Sequence, residues 1–231
     1  MTEKLIDPYG RQVTNVRFSL TPACNLNCVY CHAEGEDHPD NSLRTDEIIR
    51  IINAFSRHPI RSMKFTGGEP TLREDLIEII HSVPPHIESS MTTNGTLLAD
   101  CAHDLKKAGL SRVNISLDTL RRDRYKQITG KDLLGDVLEG IDAALDAGLT
   151  PVKLNTVLLQ GINDDEIPDF FRFVRGNRNL IFQIIELMEF NECTSHADVD
   201  GLEKKIASQA CLLYTSPSPR DRTRSRMPSS A

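Results

Sequence analysis

The sequence predicts an α/β fold, a partial, open (β/α)6 barrel of parallel strands. Three observations lead there. Six runs rich in β-branched residues alternate with stretches whose apolar residues recur at helical spacing. Two of the helical stretches end alike, Ala108-Gly109-Leu110 and Ala147-Gly148-Leu149, 39 residues apart and each followed by a strand. A recurring helix–glycine–strand unit brings the chain back to the same end of a sheet, which makes the strands parallel. About six such units fit between residues 13 and 210, short of the eight that close a barrel. A doubly wound sheet is the competing architecture.

Taken in order, the strands are expected at 15–20, 62–65, 89–92, 113–117, 152–158 and 180–187. Between the first two, Thr45 is placed to cap a helix with Asp46 and Glu47 in its first turn and Ile48, Ile49, Ile51, Ile52 and Phe55 along it. Further helical stripes run over 72–80, 97–108 and 137–145. Gly109 and Gly148 suit the left-handed position that closes a helix.

Composition narrows the function classes. The 231 residues carry 27 Lys+Arg against 33 Asp+Glu, a formal net charge of −6, and no apolar run approaches membrane-spanning length. A collagen, a coiled coil and a basic nucleic-acid-binding domain are all disfavoured. The first eight residues hold two acids and no apolar core, so a cytoplasmic protein without a secretory signal is expected. Residues 211–231 differ in character, with three prolines, five serines, four arginines and one acid. They are expected to be a non-native or disordered tail of net charge +3, apart from a domain spanning 1–210. Taking this +3 away from −6 leaves −9 on that domain.

Of the six cysteines, three fall in Cys24-Asn-Leu-Asn-Cys28-Val-Tyr-Cys31, after the first expected strand. A structural zinc site wants four ligands and a ferredoxin run wants a fourth cysteine, whereas three thiolates on a cubane 4Fe-4S cluster leave one iron open. Adjacent Cys31 and His32 are expected to point in different directions, so His32 is not expected to close the set. The spacing alone also admits a zinc half-site or a chance cluster. Cys101 lies beside Leu97, Leu98 and Leu105 on an apolar helix face and reads as core. Cys193 and Cys211 have no partner at ligand spacing.

With Tyr30 just before the third cysteine and Thr66-Gly67-Gly68-Glu69-Pro70 after the second strand, the chain resembles the radical S-adenosylmethionine superfamily. Physically, paired glycines let the backbone approach a ligand closely, and a carboxylate with backbone carbonyls can hold an ammonium group. Further segments resemble the GTP 3′,8-cyclase family within it, in its archaeal-type branch. They include Gly10-Arg11 through Arg17, Lys64-Phe65, Thr92-Thr93-Asn94-Gly95, Val113-Asn-Ile-Ser116-Leu-Asp118, Val152-Lys153-Leu-Asn155 and Ile185-Glu186-Leu-Met188.

The resemblance implies that Cys24, Cys28 and Cys31 hold a 4Fe-4S cluster. It places Tyr30, Gly67, Gly68, Glu69, Ser116 and Met188 at S-adenosyl-L-methionine, and Arg17, Lys64, Thr92 and Lys153 at GTP. Residue types agree, since Arg and Lys suit phosphate oxygens. By strand alternation Arg17, between Val16 and Phe18, and Lys153, between Val152 and Leu154, face away from their apolar neighbours and into the lumen. The implied chemistry is a lyase-type cyclisation of GTP to 3′,8-cyclo-7,8-dihydro-GTP through a 5′-deoxyadenosyl radical, in molybdenum cofactor (molybdopterin) biosynthesis. No residue acts as a general acid or base. A reductant protein of flavodoxin or ferredoxin type and a homodimer come with the resemblance; no nucleic acid or membrane does.

The family's second 4Fe-4S cluster has no matching ligands here, and Gln183 stands where many bacterial members carry Arg, so impaired cyclisation is expected. The residues leave two alternatives, a peptide- or haem-modifying maturase of the same superfamily and a non-catalytic iron–sulfur or metal-binding protein.

Overall fold

The computed structural model describes residues 4–31 and 42–187. Its elements are β1 (Asn15–Ser19), α1 (Thr45–Phe55), β2 (Ser62–Thr66), α2 (Leu76–His81), β3 (Glu88–Thr93) and α3 (Leu98–Ala108). They continue with β4 (Arg112–Ser116), α4 (Arg122–Thr129), α5 (Leu134–Asp146), β5 (Val152–Leu158), α6 (Ile167–Val174) and β6 (Leu180–Glu186). All six strands are parallel, and the sheet order is β1-β2-β3-β4-β5-β6. A doubly wound sheet reverses direction at a switch point; this one never does. It winds one way, as the expected partial barrel requires.

Alternation along the strands divides the sheet into an apolar and a polar face. Met63, Phe65, Met91, Val113, Ile115 and Leu154 are buried against the helices, where they meet Ile48, Ile52, Ile79, Leu98, Leu105, Val137 and Ile141. Burying each such side chain is worth about 1.5–3 kcal/mol. The intervening residues Arg17, Lys64, Arg112, Asn114, Lys153 and Asn155 line the opposite, concave face. Helix α5 reaches the turn before α3 closely at Gly140, where a Cβ would stand 2.4 Å from the Gly95 carbonyl oxygen. That contact explains a glycine in mid-helix, a position that otherwise costs about 1 kcal/mol relative to alanine.

Several sequence expectations shift locally. Thr45 is the first residue of α1 and not its cap. The cap is Arg44, whose backbone N–H donates to Glu47 Oε2 at 2.9 Å. The stripe over 72–80 splits into a short 3-10 turn, Pro70–Leu72, and α2, because Asp75 and Arg73 are engaged with each other at 2.5 Å. Helices α4 and α6 were not expected. The first buries only Tyr125, Ile128 and Thr129, too few for a clear stripe, and the second is eight residues with a proline at its start. Gly109 and Gly148 do adopt positive φ, at 110° and 72°. The expected tail at 211–231, and so the boundary at 210, lies outside the described residues, as do His32, Met188, Cys193 and Cys211.

Candidate functional site

The three-cysteine loop sits over the C-terminal ends of the strands, held from four sides. At β2, the Gly68 N–H donates to the Thr21 carbonyl at 2.6 Å and the Glu69 N–H to the Ala23 carbonyl at 2.8 Å. Beyond β3, Asn94 Nδ2 donates to Asn25 Oδ1 at 2.7 Å, and Asn25 Nδ2 to Thr96 Oγ1 at 2.9 Å. At the end of α4, the carbonyls of Thr129 and Ile128 accept from the N–H groups of Asn27 and Val29. Just after β4, Asp118 Oδ2 accepts from the Tyr30 hydroxyl at 2.5 Å while its Oδ1 takes the Val157 N–H at 2.8 Å. Tyr30 packs against the buried cluster of Ile128, Leu159 and Leu187.

The Gly-Gly-Glu segment packs directly against the cysteine loop. A Cβ at Gly67 would stand 2.5 Å from the Thr21 carbonyl oxygen, and one at Gly68 would stand 2.3 Å from that of Ala23. The close approach is to the cysteine loop itself. Glu69 is fully buried. Its Oε1 accepts from the Thr71 N–H, the Thr71 hydroxyl and the Thr93 hydroxyl, and its Oε2 from the Asn94 N–H at 2.6 Å. This carboxylate ties the end of β2 to the end of β3.

The thiols are free, with Cys24 and Cys31 exposed and Cys28 half-buried. The Leu26 N–H lies 3.5 Å and Asn94 Nδ2 4.0 Å from Cys24 Sγ, and donors to sulfur stabilise thiolate charge. Burial, then the Asp118 charge, pushes the Cys28 thiol up to about 12. Burial likewise raises Cys24. A bound cation must therefore displace these protons. Among the described residues no three His, Cys, Asp or Glu side chains are arranged around a single ion. Burial pushes the Asp118 carboxyl up to about 6.

Below the loop, the lumen is cationic. Arg17 and Lys64 are register partners, and the row continues through Ser90 to Arg112. Lys153 is joined to Thr92 through Asn114, the register partner of both. Burial, then the charges of Arg17, Lys153 and Arg112, hold the Lys64 ammonium below the usual lysine range. Arg112 is paired with Glu88 at 2.7 Å, whereas among the described residues Arg17, Lys64 and Lys153 have no carboxylate partner. Thr92 Oγ1, Asn114 Oδ1 and Asn155 Oδ1 are buried without a hydrogen bond among the described residues. Leaving a buried polar group unpaired costs about 1–3 kcal/mol. The three lie on the adjacent strands β3, β4 and β5.

The structure thus brings Arg17, Lys64 and Lys153 together and puts Ser116 at the end of β4, beside Asn155. Sequence reasoning gave no role to Asp118, Arg112 or Asn114. Asp118 and Asn114 stood inside a noted segment, but only the fold shows what they face.

Residues 18–174 match the family described as the Radical SAM superfamily. The chain is 50% identical over 208 residues to the "Probable GTP 3′,8-cyclase" of Methanocella arvoryzae, covering 89% of this chain and 67% of that protein. The likeness to the proteins of the same name is 53% over 184 residues for Pyrococcus abyssi, covering 79% and 60%. It is 46% over 211 residues for Archaeoglobus fulgidus, covering 89% and 71%. The chain therefore spans 60 to 71% of the length of these three relatives. Among solved structures, Streptococcus suis SuiB bound to S-adenosylmethionine shares the fold at a TM-score of 0.72 and 18% identity, over 86% of this chain and 48% of that one. Native anSMEcpe with bound AdoMet does so at 0.69 and 17%, over 85% and 59%.

Proposed function

Because the chain belongs to the radical SAM superfamily, in the family of the curated GTP 3′,8-cyclases, we propose that it binds a 4Fe-4S cluster, S-adenosylmethionine and GTP for conversion to 3′,8-cyclo-7,8-dihydro-GTP. The observation that carries this reading is the cationic lumen beneath a three-thiol mouth. Arg17, Lys64 and Lys153 converge without carboxylate partners among the described residues, an arrangement suited to a polyphosphate. A peptide-modifying maturase has no evident use for it.

The donor set fits the cluster. Cys24, Cys28 and Cys31 would hold it, on a loop fixed to β2, β3, β4 and α4, with N–H donors already turned to Cys24 sulfur. When bound, it supplies the single electron that opens the sulfonium and so starts radical chemistry on the nucleotide sugar. The chain's own residues do the rest. Tyr30, Gly67, Gly68 and Ser116 frame the S-adenosylmethionine side at the strand ends, with Met188 assigned there from sequence and Glu69 holding the frame. Arg17, Lys64, Thr92 and Lys153 hold the nucleotide, and the helix-backed sheet screens one side from water. No proton needs a side-chain base. A one-electron donor protein of flavodoxin or ferredoxin type and a homodimer belong to the same reading. Among the described residues Cys101 alone remains for a second cluster, and it packs against the core.

The test is anaerobic reconstitution with iron and sulfide, then addition of S-adenosylmethionine and dithionite with or without GTP. Formation of 5′-deoxyadenosine that GTP stimulates supports the reading. Formation indifferent to GTP favours a maturase, and none at all removes the radical-enzyme assignment.

A further inference from the structure

Just past β4, Asp118 is a carboxylate only 4% exposed. Among the described residues no ion pair reaches it. The groups that hold it are the Tyr30 hydroxyl, on Oδ2 at 2.5 Å, and the Val157 N–H, on Oδ1 at 2.8 Å. A buried charge is costly unless it is well bonded, and a hydroxyl-to-carboxylate bond this short is of the strong, charge-assisted kind. The carboxylate's own place is rigid. Its neighbour Leu117 is in the helix-facing core, which turns Asp118 to the same side as Ser116. The Leu117 N–H donates to the Asn155 carbonyl at 2.9 Å, and its carbonyl accepts from the Thr156 hydroxyl at 2.6 Å. Buried Asn163 donates from Nδ2 to the carbonyls of Asp118 and Val157, each at 2.8 Å, and accepts the Leu159 N–H on Oδ1.

The other end of that bond lies between two of the thiols. Tyr30 directly precedes Cys31, whose N–H closes a turn on the Cys28 carbonyl at 2.9 Å. The remainder of the loop is tied earlier along the chain, Asn25 to Asn94 and Thr96, and Asn27 and Val29 to the carbonyls ending α4. Beyond Val29, the described residues offer one hydrogen bond from the loop to the scaffold, that of the Tyr30 hydroxyl. We propose that Asp118 is a positioning residue for the cluster: through the Tyr30 hydroxyl it fixes the Cys28–Cys31 turn, and its negative charge sets how readily a cluster held there takes up an electron. This rests on the cluster assigned above to the three thiols, and adds to it a residue outside the cysteine motif. A single tyrosine side chain separates the carboxylate from the loop backbone. At that range one partly buried charge changes an electron-uptake equilibrium by about tenfold. The sign is fixed, because an added electron is a second negative charge and the carboxylate opposes it.

The test is anaerobic reconstitution of the full chain with iron and sulfide, for wild type, Asp118→Asn, Tyr30→Phe, Asp118→Leu and the double variant of the last two. Iron per chain is then determined, and the cluster is titrated against potential by electron paramagnetic resonance. The pH is held well above the value of about 6 to which burial raises this carboxyl, so that it is charged in wild type. In Asp118→Asn, Oδ1 still takes the Val157 N–H and Nδ2 donates to the Tyr30 oxygen. Iron should therefore stay near wild type while the midpoint rises by about 59 mV, the equivalent of tenfold for one electron. A merely structural bond would leave the midpoint in place. Tyr30→Phe and Asp118→Leu cut the bond, and each should retain several-fold less iron. The double variant should lose no more than the worse single one, because both remove the same contact. Tyr30→Phe deletes one oxygen atom, so the comparison holds even where Asp118→Leu does not fold. An unshifted midpoint in Asp118→Asn, wild-type iron in Tyr30→Phe, or losses that multiply in the double variant overturn the inference alone. A wild-type chain that takes up no iron overturns the cluster reading and the inference with it.

Discussion

At Gly68 a single missing methyl group decides whether the cysteine loop can seat. A Cβ there would lie 2.3 Å from the Ala23 carbonyl oxygen and 2.5 Å from that of Pro22, both backbone atoms that cannot rotate aside. The collision falls one residue before Cys24. Gly68→Ala should therefore leave the far-ultraviolet circular dichroism near wild type, because the strands and helices do not depend on the loop. Iron retained per chain after anaerobic reconstitution should drop several-fold. Retention equal to wild type would mean that the loop is free to move and that the glycine pair serves something else. The same residues show what a sequence can and cannot disclose. The motif was visible, but whether its glycines approach a ligand or their own chain depends on which loop folds over them. Glu69 is similar. Its side chain type suggested an ammonium partner; its four hydrogen-bond donors are visible only in the fold. Lys153 and Arg17 were placed correctly because alternation between apolar neighbours is a strong local signal.

Between elements, one small polar cluster joins the start of α1 to the turn before α2 and to the end of β1. Asp75 takes both nitrogens of the Arg73 fork, at 2.8 and 2.5 Å, and the Thr45 hydroxyl. Arg73 in turn donates to the carbonyls of Leu20 and Leu43. These contacts, the Arg73 hydrogen bonds foremost, hold the Asp75 carboxyl below its ordinary value of 3.8. A carboxyl depressed in the folded state stabilises the fold above its unfolded pKa and ceases to do so as pH falls through the folded one. Asp75→Asn should thus lower the melting temperature at neutral pH. The gap from wild type should close as the pH drops below 3.8, read from thermal unfolding across a pH series. A gap that stays constant with pH would assign the loss to shape and not to charge. The strands were readable because β-branched runs between turn residues are unambiguous. Helices α4 and α6 were not, since Arg122–Thr129 is mostly polar and draws its place from Tyr125 and Ile128 meeting the sheet. A contact formed across the fold leaves no periodic trace in eight residues.

Over the whole molecule, charge is arranged against its own average. The chain carries −6, yet the concave face gathers Arg17, Lys64, Arg112 and Lys153 around one space with Glu88 as a partner to one of them. A polyanion approaching from afar meets the net charge first and the lumen last. Which it senses depends on the screening length, about 30 Å at 0.01 M salt and about 10 Å at 0.1 M. At low salt the acidic exterior should repel it. Nearer physiological salt that repulsion is screened, while contacts at hydrogen-bond distance persist. The association rate of a fluorescent GTP analogue, followed by stopped flow, should therefore rise between those two salt concentrations, the reverse of ordinary electrostatic steering. Dissociation should also quicken, because the contacts themselves weaken. Lys64→Met separates the two effects. It removes one contact and changes the net charge by a single unit, so dissociation should accelerate about tenfold or more while the salt trend of association stays. An association rate that falls with added salt would show the lumen's field reaching beyond the mouth, and the four cations, not the acidic surface, would then govern capture.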